Sequence, residues 1–341
     1  MTTATAVEGR TDREPRIIDI HAHFPFSQWF LGHDQAKRHT PAWFWNPFRS
    51  EIDLPRAVDA GVDAIFSVVF VPRVSFAQKS YMETARRMLL KMEGFLQTHR
   101  DRIAKAGTAA ELERIVASGR TAVVHVVEGG HCIEEDLDSI DMFHAMGVRY
   151  ITLTHDLNNN IASAATHPRR LRFWDGLSAF GRRVVRRMND LRMIVDLSHI
   201  SERGFWEVMR ITQAPVLCSH IGTRHHSPCE RNLSDEQIRA VARNGGLIGI
   251  IVWPWLLRPR GVVVGFEAYL DNIEYVARLV GPEFVCLGTD LDGFIWNVRG
   301  IRDVTALPRV AEGLRGRGFD AAEVHAIMAG NALNFFRRVV G

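Results

Sequence analysis

The chain has no apolar run approaching the roughly 20 residues that a membrane-spanning helix needs. Its opening stretch, Met1 to Pro15, is polar and lacks the apolar core of a secretory signal. The terminal Phe335-Phe336-Arg337-Arg338-Val339-Val340 is too short and too charged to serve as an anchor tail. No membrane partner is expected. Cysteine is scarce: Cys132, Cys218, Cys229 and Cys286 show no CxxC pairing, and Cys218 and Cys286 fall within apolar strand patterns. Buried free thiols in a reducing cytoplasm follow from that placement. A Lys/Arg tract with interleaved aromatics is missing and the formal charge is only +3, which excludes a nucleic-acid partner as an expectation. The clusters Arg169, Arg170, Arg172 and Arg182, Arg183, Arg186, Arg187 read as solvated surfaces. There is no internal repeat, low-complexity tract or linker. The division expected is a flexible tail over 1–15 and one domain over 16–341.

What is present is an alternation of short β-rich runs with longer helical patterns, the signature of βα units around a parallel sheet. The runs that read as strands are Arg16–Ile20, Asp63–Phe70, Thr121–Val127, Arg149–Leu153, Met193–Leu197, Pro215–Cys218, Leu247–Val252 and Phe284–Leu287. Most are near-continuous Val, Ile and Leu, as expected where both faces of a strand are covered. Eight such runs in 341 residues predict a (β/α)8, TIM-like barrel, which takes about 250 residues before insertions. Helices are predicted over Phe76–His99, Ala109–Ala117, Asp138–Ala145 and Ala321–Val339. Another opens at Ser234-Asp235-Glu236-Gln237, which reads as a capping box. Two segments read as insertions at the barrel mouth: Phe24–Arg49, with Trp29, Trp43, Phe44, Trp45 and Phe48, and Val252–Arg260, with Trp253 and Trp255. Loops at that face build substrate pockets, although aromatics on loops can equally cover core.

Side chains with metal-binding chemistry recur at the ends of these strands. Ile17-Ile18-Asp19-Ile20-His21-Ala22-His23 closes the first run with imidazoles at i and i+2, which point to the same side of an extended chain and can reach one ion. Val127-Glu128-Gly129-Gly130 puts a carboxylate at the end of the third, where each oxygen could take a cation; in isolation it would read as a surface Glu before a turn. Asp196-Leu197-Ser198-His199 and Leu217-Cys218-Ser219-His220 are the strongest pair, two adjacent strand ends each delivering Ser-His to one rim. Gly288-Thr289-Asp290-Leu291-Asp292-Gly293 ends the last strand, with Asp290 placed as an acid/base or weak ligand and Asp292 as a turn cap. His155 ends the fourth. Arg231-Asn232 follows the sixth, and a guanidinium there could grip a substrate carboxylate with two prongs. His131, His225 and His226 read as rim residues without a distinguishing spacing.

These motifs, in this order, resemble the renal (membrane) dipeptidase family of the amidohydrolase superfamily. The resemblance runs over nearly the whole chain. It includes Leu54-Pro55-Arg56, Val127-Glu128-Gly129-Gly130-His131, Tyr150-Ile151-Thr152-Leu153-Thr154-His155 and Gly176-Leu177-Ser178-Ala179-Phe180-Gly181, and it ends on Gly330-Asn331-Ala332-Leu333. It implies two zinc ions per chain bridged by Glu128 and a hydroxide, with His21 and residue 23 on the first and His199 and His220 on the second. It further implies that His155 contacts the scissile carbonyl, that Arg231, with Asn232 beside it, binds the C-terminal carboxylate, and that Asp290 shuttles the proton. The implied substrate is a dipeptide, often with a D-residue on the C-terminal side, and a homodimer is the assembly the resemblance allows. One position departs from the pattern. The family's first-strand motif ends in a carboxylate, His-x-Asp, whereas this chain has His23. The site thereby loses one negative charge, which leaves the first ion more Lewis acidic. Because HxH is the commoner superfamily pattern and serves other amides and lactones too, N-acyl amino acids and lactones stand as the alternative substrates.

Overall fold

The apolar runs become parallel strands because no side of them is left for water. In the computed structural model, which describes residues 16–39, 50–73, 80–168, 174–259, 261–293 and 296–341, they are β1 (Ile17–Ala22), β2 (Val62–Phe70), β3 (Ile103–Lys105), β4 (Thr121–Glu128), β5 (Val148–Thr152), β6 (Ile194–Asp196), β7 (Leu217–Ile221), β8 (Leu247–Ile250) and β9 (Val285–Leu287). The order is β2-β1-β9-β8-β7-β6-β5-β4, and β2 pairs with β4 to close an eight-stranded parallel barrel. The eight expected runs are its staves. β3 is an addition: it pairs with β4 only over Thr121–Val123, below the point where β5 takes up the same strand at His125. Three residues of decreasing burial carry no pattern from which a strand could be read.

The pleat divides the core in two. Ile18, Ile20, Ala64, Phe66, Val124, Val126 and Tyr150 fill the barrel interior, while Ile65, Val69, Val123, Val127, Ile151 and Val195 pack outward against the helices. The C-terminal helical run plugs the bottom, with Phe336 edge-on to Phe66 at 5.4 Å. That run is continuous in the chain but passes through a π-helical turn, Ala326–Gly330, between the helices Ala321–His325 and Asn331–Val339. The Ser234 capping box forms with both of its hydrogen bonds. The helix expected from Phe76 is seen as Tyr81–Thr98, capped by Ser80, and residues 74–79 lie outside the described set. So do the 1–15 tail, Trp43, Phe44, Trp45, Phe48 and the Arg169–Arg172 cluster. Trp29 packs against the outer core with Lys91 Nζ 5.5 Å from its ring centroid, a covering role. Among the described residues no helix is long and apolar enough to cross a membrane.

Two glycines let the strands close in beside the site. A Cβ on Gly249 or Gly288 would lie 2.0 or 1.8 Å from the Ser219 carbonyl oxygen, so only glycine fits there. Below the mouth, the buried Arg56 locks the connection after β1 to the segment after β9. Its Nε donates to Asp53 Oδ2 (2.7 Å), Nη1 to Asp303 Oδ2 (3.0 Å) and Nη2 to the Ser50 carbonyl (2.9 Å). Removing one partner of such a group leaves an uncompensated buried charge, at a cost of about 3–5 kcal/mol. Arg56→Leu is therefore expected to lower the chemical denaturation midpoint by that equivalent. A midpoint unchanged within 1 kcal/mol (about the scatter of a neutral surface substitution) would show that the lock contributes little.

Candidate metal centre and active site

Six of the side chains singled out above meet at the carboxyl end of the barrel, where chain direction in every βα unit aims them. His21 lies in β1 and His23 one residue beyond its end, Glu128 is the last residue of β4, His220 is in β7, and His199 and Asp290 each sit three residues past their strands. Glu128 is the hub. Its Oε1 lies 3.6 Å from His21 Nε2, 3.2 Å from His199 Nε2 and 3.3 Å from His220 Nε2, and its Oε2 lies 3.3 Å from His23 Nε2. Asp290 Oδ1 approaches the first pair from the other side, at 3.7 Å from His21 and 3.0 Å from His23. Two ligand-like triads result: His21, His23 and Asp290; and Glu128, His199 and His220. His199 and Asp290 have φ of 66° and 64°, a left-handed backbone that ordinary residues rarely adopt and that recurs at functional sites.

A second layer fixes which nitrogen each ring presents. Tyr150 rises from the barrel interior and gives its one proton to the Ile20 carbonyl (2.9 Å), so at His21 Nδ1 (2.7 Å) its oxygen must accept. Ser219 gives its proton to Asp196 Oδ2 (2.6 Å), so at His220 Nδ1 (2.8 Å) it accepts as well. Both imidazoles therefore carry hydrogen on Nδ1 and turn a bare Nε2 inward, the tautomer a cation requires. His21 Nε2 is buried with no hydrogen-bond partner among the described residues, as an unspent ligand atom would be. The carboxylates behind this layer are themselves saturated. Asp196 also accepts from Thr152 Oγ1 and from the Ser198 and Ser219 N–H groups, and Asp19 accepts from Thr289 and from His21 N–H. Sequence reading assigned Tyr150, Ser219, Asp196 and Asp19 no function.

The charge balance favours a cation. Burial opposes ionisation of His23, yet the adjacent Asp290 and Glu128 carboxylates outweigh it and push its pKa up to about 10. Burial pulls His21 down to about 4. Burial would raise Glu128, but the surrounding imidazoles hold it well below the usual carboxylate range. Protons on histidine thus occupy the place of positive charge, and a divalent ion fits the same donor set and displaces them.

The rim residues divide by what their polar atoms do. His155 stands at the mouth, its ring 4.4 Å from those of both Phe70 and His199, and burial lowers it to about 4, so it is neutral at pH 7. Asp156, not singled out beforehand, lies 3.5 Å from His199 Nδ1. Arg231 is buried; its Nη2 donates to the His220 carbonyl (2.9 Å) while Nε and Nη1 have no partner among the described residues. Asn232 differs from the expectation of a substrate contact: its amide donates to the Ser227 and Leu256 carbonyls and accepts from Gly222 N–H, so it ties loops together. Asp292 is likewise more than a turn cap. It exchanges backbone-to-carboxylate hydrogen bonds with Glu51 (2.6 and 2.9 Å) at a φ of 62°, pinning the turn that carries Asp290. His131 faces the Val71 carbonyl, and His225 stacks on Tyr275, both away from the centre.

Because a hydrogen-bonded outer partner sets ligand basicity and orientation, its loss typically weakens metal binding 10–100-fold. Tyr150→Phe keeps the packing and removes the acceptor, so chelator competition should show a drop of about that size. Equal affinity in the two proteins would remove Tyr150 from the metal centre.

Comparison with known proteins agrees with this geometry. The model of the membrane dipeptidase family, peptidase family M19, matches residues 10–340. Dipeptidase tcpJ of Claviceps purpurea is 31% identical over 295 residues, covering 84% of this chain and 69% of its own. Dipeptidase 3 of Mus musculus is 33% identical over 217 residues, 62% of this chain but only 43% of its own length. The solved dipeptidase AC, a metallopeptidase of family M19, superposes with a TM-score of 0.83 at 27% identity over 96% of this chain and all of its own. A metallopeptidase from Rhodobacter sphaeroides, solved with a phosphinate mimic of the dipeptide L-Ala-D-Ala, shares the fold with a TM-score of 0.82 at 24% identity, again over 96% of this chain and all of its own. With its (β/α)8 barrel and its cluster of imidazoles and carboxylates at the mouth, the chain belongs to the membrane dipeptidase family and is a metal-dependent hydrolase.

Proposed function

We propose that the protein cleaves the amide bond of dipeptides at a two-zinc centre, and that a D-residue is accepted on the carboxylate side. The observation that carries the reading is the pairing of the Glu128 hub with a buried guanidinium, Arg231, that has donors to spare. His21 and His23 would hold one ion and His199 and His220 the other, with Glu128 between them. When bound, zinc supplies a water acidified towards neutral pH and polarises a carbonyl.

The remaining work falls to the chain's own side chains. Arg231 receives the substrate carboxylate and so fixes the distance of the scissile bond from Glu128. His155, neutral at pH 7, donates to the oxygen that becomes negative as the carbonyl is attacked. Asp290 takes the proton of the attacking water and returns it to the departing amine. Its oxygen already faces both first-strand histidines, so proton and nucleophile meet at one point. A second reading, hydrolysis of an N-acyl amino acid or a lactone, is favoured by His23: a neutral ligand in place of a carboxylate leaves the electrophile stronger and the pairing with a peptide less particular.

Metal content by elemental analysis, read together with turnover of a small L-L and L-D dipeptide panel, tests the proposal. About two zinc per chain with dipeptide cleavage is expected. Asp290→Asn should lower kcat by about 10²–10⁴, and Arg231→Lys should cost about 10–100-fold in kcat/KM, the worth of a charge-assisted hydrogen bond. Metal without dipeptide cleavage, but with N-acyl amino acid or lactone turnover, would select the second reading. Wild-type rates in Asp290→Asn would remove the proton-transfer assignment.

A further inference from the structure

A cavity of about 370 Å³ opens beside Arg231, lined chiefly by Pro228, Cys229, Arg231, Trp253, Trp255 and Leu256. That volume falls within the range of small-molecule pockets, roughly 300–1,000 Å³. Its walls are anchored to the metal centre through the backbone. Arg231 donates to the His220 carbonyl, and Ala165, also in the lining, donates its N–H to the His199 carbonyl at 2.7 Å. Ser227 donates to the Trp255 carbonyl (2.9 Å) and Asn232 to the Leu256 carbonyl (2.7 Å), which laces the 227–232 loop to the segment that carries Trp255. The Trp253 and Trp255 rings are 5.3 Å apart and tilted by 41°, and both line the cavity.

We infer that this cavity is the specificity pocket for the side chain of the residue that carries the substrate's carboxylate, and that it selects a large apolar side chain, aromatic above all. The inference rests on the reading of Arg231 as the carboxylate anchor. In an amino acid the side chain leaves the carbon one bond from the carboxylate, so anchoring that carboxylate on Arg231 delivers the side chain into the cavity Arg231 lines. Proline, leucine and two indoles give an apolar surface on which a phenyl or indole ring gains both area and offset stacking.

The test compares kcat/KM of the zinc-loaded full chain on L-Ala-X, with X as Gly, Ala, Phe, Trp, Lys or Asp in both configurations. Phe and Trp should exceed Gly by about 10-fold or more. In Trp253→Ala and Trp255→Ala that ratio should collapse towards one, and Trp255→Phe should restore most of it. A flat profile, a preference for Lys, or an unchanged Phe-to-Gly ratio in both alanine variants would overturn the inference while leaving dipeptide cleavage in place. Failure to cleave any member of the panel would instead remove the carboxylate-anchored dipeptide reading, and this pocket assignment with it.

Discussion

The buried carboxylate of Glu128 is the constraint on which the rest of the site depends. It is 1% exposed, and a carboxylate so removed from water is tolerated only when positive charge or several donors surround it. His23 and His199, both held above the ordinary imidazole range by the carboxylates beside them, offer it protons at 3.3 and 3.2 Å. The bare Nε2 atoms of His21 and His220, at 3.6 and 3.3 Å, offer none and leave the remaining need to a cation. The four rings come from β1, β7 and the residues just beyond β1 and β6. Only a closed barrel brings the ends of those strands to one point. The fold is therefore a condition for ionised Glu128, and the site in turn accounts for features that cost stability elsewhere. His199 and Asp290 take left-handed backbone, and glycine stands at 249 and 288 where strands crowd Ser219. Each is paid for by the packing of the barrel around it.

Behind the ligands the same device occurs twice. Asp19, within β1, accepts from His21 N–H and from Thr289, and so joins the first strand to the turn that bears Asp290. Asp196, at the end of β6, accepts from Ser198 N–H and from Ser219, and so joins His199's turn to His220's strand. Each buried carboxylate secures a pair of adjacent staves whose exposed ends carry ligands. Burial raises Asp19 to about 6, and its hydrogen bonds work against that rise. Asp19 thus stays an acceptor at neutral pH. The Ser219 hydroxyl, between Asp196 and the His220 ring, is forced into its role by having only one proton.

That these side chains meet was legible because each ends a strand whose apolar run is visible in the sequence, and because Ser-His recurs at two neighbouring strand ends. Strand period and chain direction do the rest: if a run is a barrel stave, its last residues face the mouth. The supporting layer was not legible in the same way. Tyr150 lies 129 residues from His21, and nothing local distinguishes its hydroxyl from that of a satisfied core tyrosine. Asn232 shows the reverse error. Beside Arg231 it reads as a substrate contact, but a planar amide with donors and acceptor in opposite directions suits a junction of two loop carbonyls and an N–H, and that is where its atoms are used. Glu51 and Asp292 pair across 241 residues, a contact that only the closed barrel creates.

The unequal halves of the centre bear on how the chemistry is divided. Around His199 and His220 the negative charge is Glu128, with Asp156 behind the first ring. Around His21 and His23 both side chains would be neutral with a metal bound, because position 23 carries an imidazole. The charge on that side comes from Glu128 and from Asp290, whose Oδ1 is nearest to His23. In the proposed mechanism Asp290 would both neutralise the first position and take the proton of the attacking water. A carboxylate has lone pairs enough for two such tasks, since one oxygen can face a cation while the other accepts hydrogen. What keeps the two oxygens apart in function is the turn: Asp290 N–H is held by the His21 carbonyl at 2.8 Å, and the Asp292–Glu51 exchange clamps the residues after it. The backbone of this turn, more than the identity of residue 23, sets what the carboxylate can do, and an imidazole at that position is compatible with the same chemistry for that reason.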